Sequence, residues 1–160
     1  MKVNKKIIKK LNPCKERFDN YLKHYKNFSG DILEFLALGK ITPKDKIWVT
    51  LRLFWGENDL ATLQVFAIDC VFAAYAYADS ADAADAADAA ADSAAYAAAY
   101  SGYAYAYAYA AADYAAAAAA SAAYAAADSA AAYAYAAAYA AERERQVDCL
   151  AYLIMSRGKK

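Results

Sequence analysis

From residue 61 to residue 141 the chain has no lysine, no arginine and no proline, and its only glycine there is Gly102. Disordered segments carry few aromatics and are rich in Pro, Gly or Lys. This stretch instead holds thirteen of the sixteen tyrosines, between Tyr75 and Tyr139. The whole chain has one histidine, His24. Without a second histidine or a nearby cysteine it makes no metal site. Three cysteines, Cys14, Cys70 and Cys149, are an odd number without short spacing. That argues against a disulfide framework and for a reducing cytosol.

Also missing is any long, uniformly apolar run. Met1 to Lys10 is basic, but no stretch of signal-peptide length follows. The alanine tract is long enough to span a bilayer, yet aspartate recurs through it. Each would cost about 2.5–3.5 kcal/mol at the membrane centre, so no membrane span is expected. GxSxG, Walker, Rossmann, HExxH and CxxC patterns are all absent. Cys14 stands at an expected helix start, a position where a thiol can serve as a nucleophile, but such positions are commonly structural. The sequence therefore reads as a non-enzyme with no cofactor and no metal.

What is present divides by charge. The formal net charge is +0 over 160 residues. Residues 1–60 carry thirteen basic and seven acidic groups, net +6, and residues 142–160 carry five and three. Residues 61–141 carry eight aspartates and no opposing cation. Two units follow: a basic N-terminal helical module, 1–58, and an Ala/Tyr/Asp-rich helical region, 59–160, docking back through its C-terminal end.

The N-terminal unit reads as short capped helices. Val3, Ile7, Ile8 and Leu11 give a first helix from Val3 to Leu11. Asn12-Pro13 reads as an N-cap followed by proline at the first helical position. Phe18, Tyr21, Leu22 and Tyr25 form the stripe of a second helix. A third spans Asp31 to Leu38, with Gly39 as its stop. Thr42-Pro43 opens a fourth, with Asp45 completing a weak capping box, and Gly56-Glu57-Asn58 ends it. Lys5, Lys6, Lys9 and Lys10 are weak nucleic-acid-binding candidates, since basic clusters attract phosphate. The competing interpretation is a solvated helix face.

A fifth helix starts near Asn58 or Asp59 and is apolar nearly all round through Phe72, which marks a central, buried element. Beyond it alanine dictates helix. Unbroken, residues 59–155 would extend about 145 Å, so the chain folds back. Ser101-Gly102 is the best turn, dividing the tract into an antiparallel hairpin. Asp79-Ser80, Asp92-Ser93 and Asp128-Ser129 are further breaks that would give a stack of shorter helices instead. Tyr96 and Tyr103 in one heptad register, with Tyr100, Tyr107 and Tyr114 in another, suggest a tyrosine-and-small-residue seam. Asp82, Asp85 and Asp88 lie within a run of evenly spaced carboxylates. They read as a solvent face that keeps an alanine rod soluble, with phosphate mimicry as an alternative. Val147, Leu150, Leu153 and Ile154 form a closing stripe that docks on the N-terminal unit.

Asn12-Pro13-Cys14, Phe35-Leu36-Ala37-Leu38, Ile41-Thr42, Asp45-Lys46-Ile47-Trp48-Val49 and Arg52 resemble the N-terminal module of small proteins common in bacteriophage and prophage genomes. Those proteins continue into Ala/Tyr/Asp-rich tracts and finish with a stretch like Ala141-Glu142-Arg143-Glu144-Arg145-Gln146. Some carry a generic immunity-protein label. The resemblance spans nearly the whole chain and implies a mobile-element accessory protein that neutralises a host or rival component. It implies no catalytic residues.

Together these readings give an all-α protein of the cytoplasm of a bacterial host that works by binding another protein. A host-defence inhibitor, of the anti-CRISPR or anti-restriction class, fits. The candidate surface is Tyr96, Tyr100, Tyr103, Tyr105, Tyr107, Tyr109 and Tyr114 with Asp82, Asp85 and Asp88, because tyrosine is large, stiff and amphipathic. A nucleic-acid binder and a self-assembling helical protein are the alternatives. Tyr105 and Tyr109 fall off the face that holds Tyr103 and Tyr107. The exposed aromatic patch this leaves points to a homodimer.

Overall fold

The computed structural model describes residues 1–77, 81–100, 103–126 and 131–157. Among these the protein is all-α, with eight helices and one two-stranded sheet. The strands are β1 (Lys2–Asn4) and β2 (Ser29–Asp31), antiparallel, with Val3 opposite Gly30. The expected first helix from Val3 is thus corrected: Val3 belongs to β1, and α1 is Lys5–Lys10. The Asn4 side chain accepts from the amides of Lys6 and Ile7 and sets that start. A Cβ at Gly30 on β2 would meet the ends of the Glu34 and Phe28 side chains, so a larger residue there would have to displace both.

Helix α2 is Lys15–Tyr25, and its N-cap residue is Cys14, which makes no side-chain capping bond. Asn12 instead adopts φ 56°, a left-handed conformation that asparagine tolerates. Its amide donates to the Lys9 carbonyl and closes α1. Helix α3 is Ile32–Leu36, shorter than expected and ending before Gly39. Asp31 and Glu34 form a reciprocal capping box at its start. Helix α4 is Pro43–Gly56, with Thr42 as N-cap and proline in the first turn, as read from the sequence. The Thr42 hydroxyl accepts from the Asp45 amide and donates to the Asp45 carboxylate. Asp59 caps α5 (Leu60–Ala76).

The alanine tract is a stack of helices: α6 (Ala81–Ala99), α7 (Ala104–Ala126) and α8 (Ala131–Arg157). The breaks expected at Asp79-Ser80, Ser101-Gly102 and Asp128-Ser129 lie outside the described residues. Asp92-Ser93 is no break; both residues lie inside α6. Neighbouring helices run antiparallel. Gln64 on α5 reaches the Ala98 carbonyl of α6, and Tyr75 reaches Asp88. Gln146 on α8 reaches the Ala112 carbonyl of α7.

Helix α7 is the central element, packed against α5, α6, α8 and α4. The expectation that α5 would be central is corrected. Phe66, Leu63 and Ala67 of α5 are buried, but Val65, Ile68 and Phe72 on its other side are exposed. Apolar content on all sides of a helix does not bury it when one side is left without a neighbour.

The tyrosine seam is corrected as well. The α6–α7 contact is alanine: Ala83, Ala87, Ala90, Ala94 and Ala97 on α6, and Ala104, Ala108, Ala111, Ala115 and Ala118 on α7, all buried. Each set steps by four and three, the heptad pattern of a coiled coil. Alanine admits close backbone approach, and a phenol in the same position would force the helices apart.

The larger side chains of the core come from the N-terminal half and the end of α8. Phe35, Ile47, Leu51, Phe54, Leu63, Phe66 and Leu150 are fully buried. Val147 and Leu150 are buried where α8 packs on α3 and α4. Arg52 ties α4 back to the α1–α2 turn by donating to the Leu11 carbonyl at 3.0 Å.

The seam predicts a sharp size dependence. Ala111→Leu, in the closed contact, should cost about 1–3 kcal/mol of stability by overpacking. Ala95→Leu, exposed on α6, should stay within about 0.5 kcal/mol of wild type. Urea unfolding followed by circular dichroism measures both, and equal effects would refute the close-packed seam.

Candidate protein-interaction surface

The tyrosines expected to form one surface separate into two groups on different sides of α7. Tyr105 and Tyr109 face α4. The Tyr105 ring lies 5.1 Å from Trp55 and 4.7 Å from the Arg52 guanidinium. Tyr109 lies about 6 Å from both Lys44 and Arg143. Both are half-buried, so they join the alanine bundle to the N-terminal unit. This corrects the reading that left them as the exposed aromatic surplus, which was the premise for the homodimer.

The second group gathers at the end of α6 and the start of α7. Tyr96 stacks on Tyr107 at 5.3 Å and on Tyr100 at 5.9 Å. Tyr96, Tyr100 and Tyr103 are exposed, and Tyr107 is half-covered. Tyr114 is exposed further along α7. Asp82, Asp85, Asp88 and Asp92 are all exposed on α6. Lys5, Lys6, Lys9 and Lys10 are exposed on α1.

Sequence reasoning missed two features. The first is a buried ionic network in Glu142-Arg143-Glu144-Arg145-Gln146. Glu142 is 1% exposed, Arg143 2% and Gln146 0%. Arg143 pairs with Asp113 of α7, donates to the Tyr139 hydroxyl at 3.0 Å and to Gln146 Oε1 at 3.2 Å. Gln146 Nε2 donates to the Ala112 carbonyl and to Glu142 Oε1, both at 2.9 Å. Arg145 grips Glu142 with two bonds, through Nε and Nη2, and reaches Asp69 of α5 at 2.7 Å through Nη1. Three helices are thus locked together by charge-assisted bonds. Burial pulls the Arg145 guanidinium down, but the carboxylates of Glu142 and Asp69 outweigh it and hold it above its ordinary value. A signal was available. Stepping back from Leu150 and Val147 by the same three-and-four spacing lands on Arg143, which continues the buried stripe with a charge.

The second feature is an apolar stripe on α5. Val65, Ile68, Phe72 and Tyr75 recur at i, i+3, i+7 and i+10, on one helix face. They are 50%, 49%, 72% and 50% exposed. The stripe borders the acidic face of α6, where Asp88 accepts from the Tyr75 hydroxyl at 2.8 Å. That bond to Asp88 pushes the Tyr75 hydroxyl pKa up. At its other end Val65 and Ala61 face Leu153 and Ser156 of α8 across an open groove of about 420 Å³. Asp59 and Arg157 close the groove with an ion pair at 2.8 Å. The sequence showed these residues, but their apolarity was assigned to the interior.

No protein-family model matches the chain, and no curated protein or solved structure is significantly similar to it. Among the described residues, no helix is long and apolar enough to cross a membrane.

The ionic network makes two predictions. Glu142→Ala strips Arg145 and Gln146 of their shared acceptor. It should cost about 3 kcal/mol, the low end for a broken buried pair because Arg145 is partly hydrated. Glu144→Ala, exposed between Arg143 and Arg145, should change stability by less than about 0.5 kcal/mol. Urea midpoints at matched slope compare the two.

The thiols provide the other. Burial, with Asp69 beside it, pushes Cys149 up to about 12, and burial raises Cys70 well above its usual value. A raised pKa keeps the thiol protonated, and the thiolate is the nucleophile. Near pH 8 both should react slowly with a disulfide reagent, and exposed Cys14 quickly. One fast thiol in the native chain and three in denaturant are expected; rapid native release of two or more would contradict the packing of α5 on α8.

Proposed function

We propose that this chain acts by binding another protein, as a non-enzymatic accessory protein of the phage type, and that it belongs to the cytoplasm of a bacterial host. Inhibition of a host-defence component is the specific form that the sequence resemblance suggests. The observation that carries the binding reading is the α5 stripe. Four large apolar side chains, each about half or more exposed, form one continuous row. Isolated surface apolar residues need no explanation, but a contiguous row rimmed by polar groups marks an interaction site. The aromatic cluster of Tyr96, Tyr100 and Tyr103 supplies further stiff, amphipathic contact area.

Nucleic acid is the second reading, supported by the exposed lysines of α1. It draws nothing from the tyrosines, which sit in a segment without a cation. Binding through lysines and phosphates falls steeply with salt. Failure to bind generic DNA at low salt would remove this reading.

The protein-binding reading is tested by paired affinity purification from a bacterial lysate. One bait is the wild-type chain and the other carries Ile68→Ser and Phe72→Ser, both at exposed positions. A discrete partner retained by the first and lost by the second is expected. Identical recoveries would sink the assignment of this surface.

A further inference from the structure

We infer that the face formed by α5 and α6 takes a positively charged amphipathic helix of another protein, its apolar side on Val65, Ile68 and Phe72 and its cations toward Asp88 and Asp92. The inference rests on the protein-binding reading and specifies the partner's chemistry. Three observations carry it.

The first is geometric. Helices α5 and α6 lie side by side and antiparallel, tied at Gln64 to Ala98 and at Tyr75 to Asp88. In that register the Phe72–Tyr75 end of the exposed α5 row lies beside Asp88 and Asp92 of α6, and its Val65 end lies near Ala98. Asp92 is near enough to act on the Tyr75 hydroxyl together with Asp88. An apolar row bordered by carboxylates at one end is complementary to a helix with leucine-like residues on one side and lysine or arginine on its flank.

The second is that, among the described residues, no cation pairs with the acidic row: the ion pairs there involve Asp45, Asp59, Asp69, Asp113 and Glu142. Residues 61–141 contain no lysine or arginine. Arg145 is held by Glu142 and Asp69, and Arg157 by Asp59. The carboxylates of α6 are thus available to a partner, and their potential speeds the approach of a cationic one.

The third observation decides between a second copy and a foreign chain. Two copies meeting through this face around a two-fold axis would set carboxylates against carboxylates, or against the α5–α8 edge, whose described arginines are already paired. Like charges across an interface are penalised. The basic helix α1 of another copy is no substitute. Its Ile8 is buried and Ile7 half-buried in its own core, so it offers lysines without an apolar side. A foreign basic helix has both.

The probe is a fluorescein-labelled amphipathic Leu/Lys peptide of about five helical turns, with a Leu/Glu peptide as control, followed by anisotropy. The Leu/Lys peptide should bind, and raising salt from about 0.05 M to about 0.5 M should weaken it about tenfold. Phe72→Ser with Ile68→Ser should weaken binding at least about tenfold. Asp85→Asn, Asp88→Asn and Asp92→Asn together should flatten the salt dependence. Unchanged circular dichroism melts show that the variants are folded. Equal binding of the Leu/Glu peptide, or no effect of the α5 substitutions, overturns the inference. So does a wild-type dimer in sedimentation that becomes monomeric on Phe72→Ser, because the face then belongs to a second copy. If the Leu/Lys peptide fails to bind while the lysate partner still depends on Ile68 and Phe72, the partner's chemistry is wrong and the protein-binding reading stands.

Discussion

The alanine contact around α7 is the constraint from which the rest of the architecture follows. Alanine is the strongest helix former, but its side chain buries far less than the 1.5–3 kcal/mol of a leucine or phenylalanine. A bundle of such helices holds only if the backbones come close over a long contact. The four-and-three stepping of Ala83 to Ala97 and of Ala104 to Ala118 provides that contact. It also dictates where everything larger must go. Tyrosine is displaced to the edges of the seam, and the charges are displaced to solvent or gathered into the paired network on α8.

Close packing of small residues lacks directional preference, because one alanine resembles the next. A helix could slide by a turn and meet a nearly identical surface. The buried network at Glu142, Arg143, Arg145 and Gln146 removes that freedom. Its partners, Asp113 and the Ala112 carbonyl on α7 and Asp69 on α5, occur at single positions. A slipped α8 would leave several buried charges unpaired, each costing several kcal/mol. Tyr105 against Trp55 and Arg52 does the same for α7 on α4. Seen this way, the large conventional core around Phe35, Phe54 and Phe66 supplies most of the burial. The polar and aromatic contacts then set the register of the alanine helices against it.

Local signals made the helices legible. Thr42-Pro43 and Asp59 are caps whose chemistry acts within one turn, and alanine content carried the rest. The strand pair was not legible, since three residues on each side give no alternation to read and the pairing of Val3 with Gly30 is long-range. Asn12 was misread because asparagine suits both an N-cap and a left-handed turn, and only the chain direction after Lys10 decides between them. The tyrosine surface was half legible. Exposure of Tyr96, Tyr100, Tyr103 and Tyr114 followed from the bulk of the side chain. The placement of Tyr105 and Tyr109 depended on which side of α7 meets α4, and composition carries no trace of that.

The α5 stripe stands apart from the economy of the remaining tract. Elsewhere between residues 73 and 141 every position is Ala, Tyr, Asp, Ser or Gly, residues that leave little hydrocarbon in water or carry a hydroxyl or charge. Val65, Ile68 and Phe72 have neither, and among the described residues Phe72 is the most exposed large hydrophobic side chain other than tyrosine. Folding gains little from it, because its ring is left largely in solvent. Alanine at the same three positions would keep α5 helical and leave Leu63, Phe66 and Ala67 to hold the helix in place. Stability and solubility thus both favour smaller residues here. The side chains make physical sense as the uncovered half of a contact, with the aspartates of α6 alongside as its charged border.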